Sequence, residues 1–296
     1  MRYVLISPVR NEAAYLEETL RSVTRQTVKP LRWVVVSDGS TDGTDGLVRE
    51  YASRFSFIRL LRREADSRRH FAGKVHAFNL GLKELQNLDY DFIGNLDGDV
   101  SFAPEYYQRV LEKFGENPRL GLAGGKIYDN IGGKFVPQIS SENSVGGPIQ
   151  LFRRSCFEEI GGYLPLKLGF VDGVAETMAR MRGWEVRHFP ELVVYHHRQT
   201  GTEGRSIWAQ RWKDGRMQYS VGYHWLFHLA HSLSRLPEYP LIVGSLIKSA
   251  AFFYCCLTRP QRQVSDEFIE FLRREQKSRL NESFKSFKTN LTGGIF

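Results

Sequence analysis

Alternating strand and helix signals in the first hundred residues limit the possible folds of this chain most strongly. Short apolar, β-prone runs predict strands at residues 3–6, 33–36, 57–61 and 91–96. Helical periodicity predicts helices between them at residues 11–25, 45–53 and 72–85. Strands that alternate with helices in this way form right-handed βαβ units. The sequence therefore predicts an α/β fold, in which helices flank a mostly parallel sheet.

Polar residues stand at the carboxyl ends of three of these predicted strands, at residues 7–12, 38–41 and 97–99. Ligands of open parallel sheets collect at the carboxyl ends of the strands. We therefore expect the three polar segments to meet in one crevice that binds a nucleotide.

Asp97-Gly98-Asp99 is the most acidic of these strand ends. Carboxylates two positions apart on extended backbone point to the same side. Like charges held this close repel each other unless a cation lies between them, and a hard divalent ion with oxygen ligands suits the pair. These residues alone leave a solvated acidic turn open as the alternative.

The bulk composition narrows the partners and the compartment. The 296 residues carry a formal net charge of +8, which favours anionic partners such as nucleotides, anionic lipid or nucleic acid. Three cysteines, of which Cys255 and Cys256 are adjacent, exclude a disulfide framework and suit a reducing cytosol. The apolar run at the N-terminus stops at Ser7-Pro8 and lacks the long apolar core of a signal peptide.

The pattern loosens after residue 120, where seven glycines up to residue 147 predict a loop-rich middle. Further strands are expected at residues 149–152, 185–189 and 192–195, and helices at 155–160 and 172–183. Beyond residue 201 the composition becomes aromatic, basic and helical.

Three segments together resemble the family 2 glycosyltransferases, which have the GT-A fold. They are Ser-Pro-Val-Arg-Asn-Glu at residues 7–12, Val-Ser-Asp-Gly-Ser-Thr-Asp-Gly-Thr at 36–44, and residues 97–99. Their order and spacing fit, and the likeness extends over roughly residues 3–200. The resemblance implies a Rossmann-like sheet and an inverting transfer of a sugar from a nucleotide diphosphate sugar to an acceptor hydroxyl. It also implies Mg²⁺ or Mn²⁺ as cofactor.

We predict a catalytic domain at residues 1–220 and a helical C-terminal extension at 221–296, with a membrane interface or oligomerisation as its open roles. Within the first, residues 1–100 would form the nucleotide-sugar half and residues 101–220 the acceptor half.

By resemblance, one set of residues would contact the nucleotide and its phosphates: Pro8, Val9, Arg10, Glu12, Asp38, Lys74, Asp97 and Arg198. Asp38 would face the base, although a turn or helix N-cap role stays open for it. Lys74 would contact a phosphate or the ribose, because the matching family segment packs near the diphosphate. Arg198 would contact the diphosphate, because a guanidinium binds phosphate bidentately. A solvated surface role stays open for Lys74.

The resemblance also assigns the metal ligands and the base. Asp99 would bind the metal directly, with a histidine at the end of a later strand as a further ligand. Alternation places His196 and His197 on opposite faces, and we favour His196. Asp172 would be the catalytic base, although many relatives carry Glu-Asp where this chain has Val171-Asp172. A helix N-cap is the alternative role of Asp172.

Gly146 and Gly147 match the family segment that lines the sugar and acceptor pocket, with an ordinary turn as the alternative. Trp212 is a candidate for stacking on an acceptor sugar, with packing in an aromatic core as the alternative. Gln210-Arg211-Trp212 resembles a motif of processive relatives, but its spacing differs, so we do not predict a processive enzyme.

The most apolar stretch, residues 240–257, carries Lys248 near its centre. Ser245, Lys248 and Ser249 form a polar stripe, which favours an amphipathic helix in a membrane interface. Packing against the catalytic domain or a second protomer stays open. We therefore expect a cytoplasmic protein, peripheral on the inner face of the plasma membrane. Its partners would be a nucleotide diphosphate sugar, a glycan or lipid-linked acceptor and the membrane surface, with homo-oligomerisation also open.

Two other functions fit the sequence less well. A sugar nucleotidyltransferase has a glycine-rich, basic segment after its first strand, whereas this chain has residues 7–12 there. A nucleic-acid-binding protein would exploit the positive charge, but a crevice of carboxylates repels phosphate unless a metal is present. We therefore predict no nucleic-acid partner.

Overall fold

The computed structural model describes residues 1–64, 72–198, 206–235 and 241–292, with side chains up to residue 282. The chain forms two compact units, Met1–Thr200 and Gly201–Phe296. The sequence prediction placed this boundary at residue 220, whereas the helix Ile207–Ser220 belongs to the second unit.

A single mixed sheet organises the described part of the first unit. Its nine strands are β1 (Tyr3–Val9), β2 (Arg32–Asp38), β3 (Ile58–Arg63), β4 (Phe92–Leu96), β5 (Val100–Phe102), β6 (Leu120–Ile131), β7 (Lys134–Pro137), β8 (Ile149–Arg153) and β9 (Glu185–His196). They lie in the order β3-β2-β1-β4-β8-β6-β9-β5, and β7 pairs with β6. Only β5, β7 and β8 run against the others. The predicted α/β class with a mostly parallel sheet is confirmed.

Helices cover both faces of this sheet. They are α1 (Leu16–Thr24), α2 (Thr44–Arg54), α3 (Ala72–Lys83), α4 (Tyr106–Glu116), α5 (Arg154–Glu159) and α6 (Val171–Met181). Alternation along β1 sends Tyr3 and Leu5 into one apolar core and Val4 and Ile6 into the other. Continuous apolar runs such as β1 are therefore buried on both faces, as expected of parallel strands.

The predicted helix at residues 11–25 begins only at Leu16. Asn11 lies outside it and forms hydrogen bonds with the loop after β2. Its backbone is left-handed, with φ at 54°. Its N–H donates to Ser40 Oγ at 3.1 Å, and its Oδ1 accepts from the Thr41 N–H at 2.8 Å. The Glu12 N–H donates to Thr44 Oγ1 at 2.8 Å. These bonds join the loop after β1 to the loop after β2.

The predicted loop-rich middle is wrong for residues 120–131, which form the long strand β6, and is confirmed for residues 138–148, which form neither helix nor strand. The glycines of β6 permit close packing inside the sheet, since a Cβ on Gly125 would lie 2.1 Å from the Leu192 carbonyl oxygen. The two predicted strands at 185–195 are one strand, β9, whose register against β6 shifts after Gly125. Beyond this shift, Asp129 lies opposite His196.

The described part of the second unit is helical. It contains α7 (Ile207–Ser220), α8 (Trp225–Ser234), α9 (Leu241–Thr258) and α10 (Asp266–Thr292). A small core forms around Tyr219, Phe252 and Cys255. Helices α7 and α9 approach closely at Gly215, where a Cβ would lie 2.0 Å from the Lys248 carbonyl oxygen.

The polar stripe predicted on α9 is packed inside this unit. Its residues face α8, where Ser245, Lys248 and Ser249 contact Ser232, His231 and His228 respectively. This corrects the basis for expecting a membrane-interface helix, since the stripe does not face water. Among the described helices, α9 alone is long and apolar enough to cross a membrane, with a mean hydropathy of 1.7.

We predict that Gly125→Ala lowers the free energy of unfolding by about 1–3 kcal/mol, because the added methyl must displace backbone at the β6–β9 register shift. Gly46→Ala is the control, since nothing lies within 4 Å of the Cβ it would add to helix α2. That change should stabilise the helix by about 0.5–1 kcal/mol. Urea denaturation measures both, and equal midpoints for Gly125→Ala and the wild type would contradict the packing assigned to Gly125.

Candidate active site

The predicted polar strand ends lie close together. Strands β1, β2 and β4 are parallel neighbours, so their carboxyl ends share one edge of the sheet. Gly98 lies against the loop after β1, because a Cβ there would be 3.0 Å from Val9 Cγ1 and 3.3 Å from Glu12 Cγ. Asp38, at the end of β2, lies against the start of α3, with its Oδ2 3.6 Å from an ideal Cβ on Gly73. Pro8 and Arg10 flank Val9 at the same edge.

Asp97 is held by a cation and by the loop before β8. Lys74 Nζ lies 2.6 Å from Asp97 Oδ1, and Asn95 Nδ2 donates to the same oxygen at 3.2 Å. Burial works against the Lys74 ammonium, but the Asp97 carboxylate outweighs it and raises the pKa of Lys74. The Asp97 N–H donates to the Pro148 carbonyl at 2.9 Å. The structure thus brings together two predicted site residues, Lys74 and Asp97, and adds Asn95, which the sequence showed only as part of a buried strand.

Asp99 faces His196. The distance from His196 Nε2 to Asp99 Oδ1 is 3.3 Å, and His196 Nδ1 lies 2.7 Å from Asp129 Oδ1. Burial disfavours the imidazolium, but Asp129 and Asp99 outweigh it and raise the pKa of His196 to about 10. His197 points elsewhere, with its Nε2 2.8 Å from Ser101 Oγ.

Asp129 escaped prediction because it lies in β6, which the sequence indicated as loop. Several glycines spread along a segment are typical of a loop. In β6 they instead allow neighbouring strands to pack closely.

Arg198 connects Asp99 to the loop after β1. It forms an ion pair with Glu12, and its Nε lies 3.6 Å from Asp99 Oδ2. Its guanidinium also lies 5.2 Å from the centre of the Tyr15 ring. Burial alone would raise the pKa of Asp99, but His196, Arg198 and Lys74 lower it, so this carboxylate is ionised.

The donor set around Asp99 fits a divalent metal. The Asp99 carboxylate and His196 Nε2 face each other, and Asp129 fixes the opposite ring nitrogen, as carboxylates do for metal-bound histidines. Within the described residues no group of three or more His, Cys, Asp or Glu side chains could hold a metal. Two protein ligands suit an ion that completes its shell with phosphate oxygens and water, as Mg²⁺ usually does.

Asp172 lies in the first turn of α6 and does not cap it. The N-cap is Phe170, whose backbone is left-handed with φ at 66° and whose side chain caps nothing. Asp172 Oδ2 instead accepts a hydrogen bond from the Gly147 N–H at 3.2 Å. A Cβ on Gly147 would lie 2.8 Å from this oxygen, so a larger residue there would displace the carboxylate. The alternative N-cap role of Asp172 is therefore wrong.

Glu176, one turn after Asp172, is buried beneath the same loop. Its Oε1 accepts from the Val145 N–H at 2.7 Å and lies 3.3 Å from Ser144 Oγ. Burial, and then the charge of Asp172, raise the pKa of Glu176 to about 8. Glu176 therefore holds residues 144–145 against α6.

The other predicted contacts are spread more widely. Asp38 forms an ion pair with Arg63, at 3.0 Å between Arg63 Nε and Asp38 Oδ1. Gly146 lies in the same loop as Gly147. Trp212 belongs to the second unit, where its ring centre lies 6.0 Å from that of Tyr254. Its role as an acceptor contact stays a prediction.

We predict that Glu176 makes the protein less stable as pH rises. Between its ordinary pKa of 4.5 and about 8 in the fold, the native state holds a proton that the unfolded chain releases, so stability is full below pH 4.5 and falls up to about pH 8. Glu176→Gln should flatten that part of the profile of unfolding free energy against pH. An unchanged slope in Glu176→Gln would show that the native carboxyl titrates normally.

Comparison with known proteins gives the family. The sequence pattern described as Glycosyl transferase family 2 matches residues 4–174. The "Uncharacterized glycosyltransferase EpsJ" of Bacillus subtilis (strain 168) is 27% identical over 143 residues, 48% of this chain and 39% of that protein. The poly-beta-1,6-N-acetyl-D-glucosamine synthase of Staphylococcus aureus (strain COL) is 22% identical over 254 residues, 79% of this chain and 57% of that protein. The chain thus spans roughly two fifths to three fifths of the length of these relatives.

Solved structures agree on the fold. The mannosyltransferase PcManGT from Pyrobaculum calidifontis, in complex with GDP-Man and Mn²⁺, aligns with 97% of this chain and 83% of its own, at a TM-score of 0.55 and 20% identity. S. aureus TarS 1-349 in complex with UDP-GlcNAc aligns with 86% of this chain and 72% of its own, at a TM-score of 0.56 and 16% identity. Because the family pattern covers more than half of its residues, the chain belongs to glycosyltransferase family 2, and its fold is the GT-A fold.

Proposed function

We propose that this protein transfers a sugar from a nucleotide diphosphate sugar to a hydroxyl group of a glycan or lipid-linked acceptor, with inversion at the anomeric carbon. Family membership supports the reaction class. Two solved neighbours hold such donors, GDP-Man and UDP-GlcNAc. The same proposal places the reaction on the cytoplasmic side of a membrane, in keeping with the three free cysteines of the described chain.

One observation carries the proposal: the loop at residues 147–148 contacts both the acidic strand end after β4 and Asp172. The Asp97 N–H donates to Pro148, and Asn95 Nδ2 donates to the Gly147 carbonyl at 2.6 Å. The N–H of the same Gly147 donates to Asp172. The loop therefore contacts both the strand end that carries Asp97 and the proposed base, and Asp97, Asp99 and Asp172 all raise the pKa of Lys74.

In the proposed reaction, Asp172 takes the proton from the acceptor hydroxyl. The acceptor oxygen then forms a bond to the anomeric carbon as the bond from that carbon to the diphosphate oxygen breaks. The nucleoside diphosphate leaves with the bonding electron pair. Lys74 and Arg198 would bind its phosphate oxygens, and this is supported by their position at the acidic strand end beside Asp97 and Asp99.

Asp99 and His196 would hold Mg²⁺ or Mn²⁺, and the ion would stabilise the negative charge that develops on the departing diphosphate. The role of Asp129 is to orient the His196 ring through Nδ1. Glu12 holds Arg198 near the phosphate side.

The proposal is tested first by a donor screen. The purified chain is incubated with UDP-, GDP- and dTDP-sugars, with and without Mn²⁺, and release of the nucleoside diphosphate is measured. We expect turnover with one base class and only with the metal. If none of these donors is turned over at any metal concentration, the proposed reaction is refuted.

We predict that Asp172→Asn lowers kcat by about 10²–10⁴-fold, the usual contribution of a general base. Nucleotide binding should be unchanged, because the amide keeps the shape of the side chain. Asp89→Asn is the control, since Asp89 is an exposed carboxylate that pairs with Arg2 far along the sheet. Normal acceptor glycosylation by Asp172→Asn would remove the base assignment.

We predict that Asp99→Ala abolishes Mn²⁺ binding in the presence of the nucleoside diphosphate and that Asp129→Asn weakens it by about 10–100-fold, the usual cost of losing an outer hydrogen bond to a ligand. Electron paramagnetic resonance of free Mn²⁺ measures both affinities without any turnover. Ser101→Ala, which removes the partner of His197, should leave Mn²⁺ affinity unchanged. Unaltered affinity in Asp99→Ala would refute the metal site.

A further inference from the structure

Residues 142–148, which we call the base loop, form neither helix nor strand, yet their backbone is held by hydrogen bonds to several elements of the fold. Val145, in the middle of the loop, is fully buried. A buried backbone N–H or carbonyl without a hydrogen bond is costly, so a buried segment without secondary structure needs partners from other parts of the chain. The position of the base loop therefore depends on the side chains around it.

Both polar backbone groups of Val145 bind buried side chains. The N–H donates to Glu176 Oε1 at 2.7 Å, and the carbonyl accepts from Gln150 Nε2 at 3.0 Å. Glu176 is 5% exposed and Gln150 is 1% exposed. Val145 is thus fixed by one side chain from α6 and one from β8.

Tyr163 holds the side chain of Gln150 in this orientation. Its hydroxyl donates to Gln150 Oε1 at 2.7 Å, and both side chains are buried. Because the amide oxygen accepts this bond, the amide nitrogen is the end that faces the Val145 carbonyl. The Tyr163 ring is itself packed against three aromatic rings, those of Phe78, Phe152 and Phe157.

Side chains from three more elements bind carbonyls elsewhere in the base loop. From β4, α6 and β9 respectively, Asn95 contacts the Gly147 carbonyl, Arg180 that of Asn143 and His188 that of Ser144. A buried polar network of this kind stabilises one arrangement only when it is complete, because the loss of one member leaves a buried group without a partner. The network therefore favours a single position of the loop.

The position of the base loop decides how the Asp172 carboxylate is oriented. The Gly147 N–H, two residues after Val145, donates to Asp172 Oδ2 at 3.2 Å. An ideal Cβ on Gly147 would lie only 2.8 Å from the same oxygen, so the loop backbone and the carboxylate are in close contact. A general base must lie about 2.6–3.2 Å from the group whose proton it takes, and a displacement of about 1 Å can cost about 100-fold in rate.

We propose that Gln150, Tyr163 and Glu176 are positioning residues for the transfer reaction, because they fix Val145 and, through it, the Gly147 N–H that orients the Asp172 carboxylate. This role rests on the proposed function, since it requires Asp172 as the base. It extends that function to three buried side chains, which act through the loop rather than on the donor or the acceptor. A purely structural network would instead leave the kcat of the folded protein unchanged when one of its bonds is lost.

The first test is Tyr163→Phe, which removes one hydroxyl group and keeps the ring. We expect kcat to fall about 10–100-fold, as for a displaced base, while calorimetry shows an unchanged Kd for the nucleoside diphosphate. Tyr3→Phe is the matched control, because Tyr3 is buried at the amino end of β1 and its hydroxyl donates to the Val28 carbonyl at 2.8 Å. It should keep the wild-type kcat. Equal kcat values for Tyr163→Phe and Tyr3→Phe would refute the role of Tyr163.

Gln150 is tested with a second matched pair. Gln150→Met removes both hydrogen bonds of the amide and should lower kcat about 10–100-fold. In the control, Gln26→Met, the lost amide is equally buried and binds the Ala103 carbonyl and the Tyr107 N–H. We expect this control to lose stability but not kcat. A similar loss of kcat in both variants would mean that any broken buried amide has this effect, and the role of Gln150 would be refuted.

Glu176 has a conservative replacement. Burial and the charge of Asp172 raise its pKa to about 8, so at pH 7 its carboxyl is mostly neutral and an amide is a close substitute. Glu176→Gln keeps an acceptor for the Val145 N–H and should keep kcat near the wild-type value. Glu176→Leu leaves that N–H without its acceptor and should lower kcat about 10–100-fold. A Glu176→Gln variant as slow as Glu176→Leu would show that the carboxyl itself reacts and would refute a positioning role.

Hydrogen exchange measured by NMR reports on the base loop without any turnover. In Glu176→Leu the Val145 and Gly147 amides should exchange faster than in the wild type, whereas Tyr3→Phe should leave both rates unchanged. Unchanged rates in Glu176→Leu would refute the proposed coupling within the loop. Circular dichroism melting confirms that each variant is folded.

The two proposals fail in different ways. If the wild type turns over no donor, the proposed function is refuted and the positioning role is refuted with it, even when the exchange rates change. If the wild type turns over a donor and Tyr163→Phe, Gln150→Met and Glu176→Leu do so equally fast, the positioning role alone is refuted.

Discussion

The antiparallel pairing of β4 with β8 is the constraint on which the rest of the site depends. In its register Leu96 lies opposite Ile149 and Asn95 opposite Gln150. The loop before β8 must therefore pass the end of β4, where the acidic turn begins. The proposed link between the diphosphate side and the base follows from this crossing, because the loop contacts Asp97 through Pro148 and Asp172 of α6 through the Gly147 N–H.

Sequence reasoning predicted the first half of the fold well and the middle poorly. Strands β1 to β4 show as continuous apolar runs because both faces of each are buried, and such runs need no tertiary information to be recognised. Strand β6 does not show as such a run, because it contains Gly121, Gly124 and Gly125. These glycines lie where other segments of the chain approach closely, but glycine in a sequence more often marks a turn. The error also removed Asp129 from the predicted site, since a residue in a presumed loop has no fixed neighbours.

The sequence also indicated some site residues and not others. The family resemblance indicated Asp97, Asp99 and Asp172 because they stand at motif positions. It could not indicate Asn95 or Glu176, whose importance arises from a carbonyl and an N–H of a loop that lies far away in sequence. Part of the Ser-Asp-Gly-Ser-Thr-Asp-Gly-Thr segment is also structural: Ser40, Thr41 and Thr44 hold Asn11 and Glu12 in place. A strong motif match therefore contains scaffold residues as well as residues that could contact a ligand.

The cations of the crevice already have carboxylate partners: Lys74 pairs with Asp97, and Arg198 with Glu12 and Asp99. If the proposed function holds, binding of a diphosphate would be an exchange of partners, in which each cation would pass from a carboxylate to a phosphate oxygen. Asp99 and His196 would hold the metal, whose positive charge would offset that of the phosphates. The sum of charges in the crevice would then change little on binding. Discrimination among donors would consequently depend on the shape of the pocket and on directed hydrogen bonds.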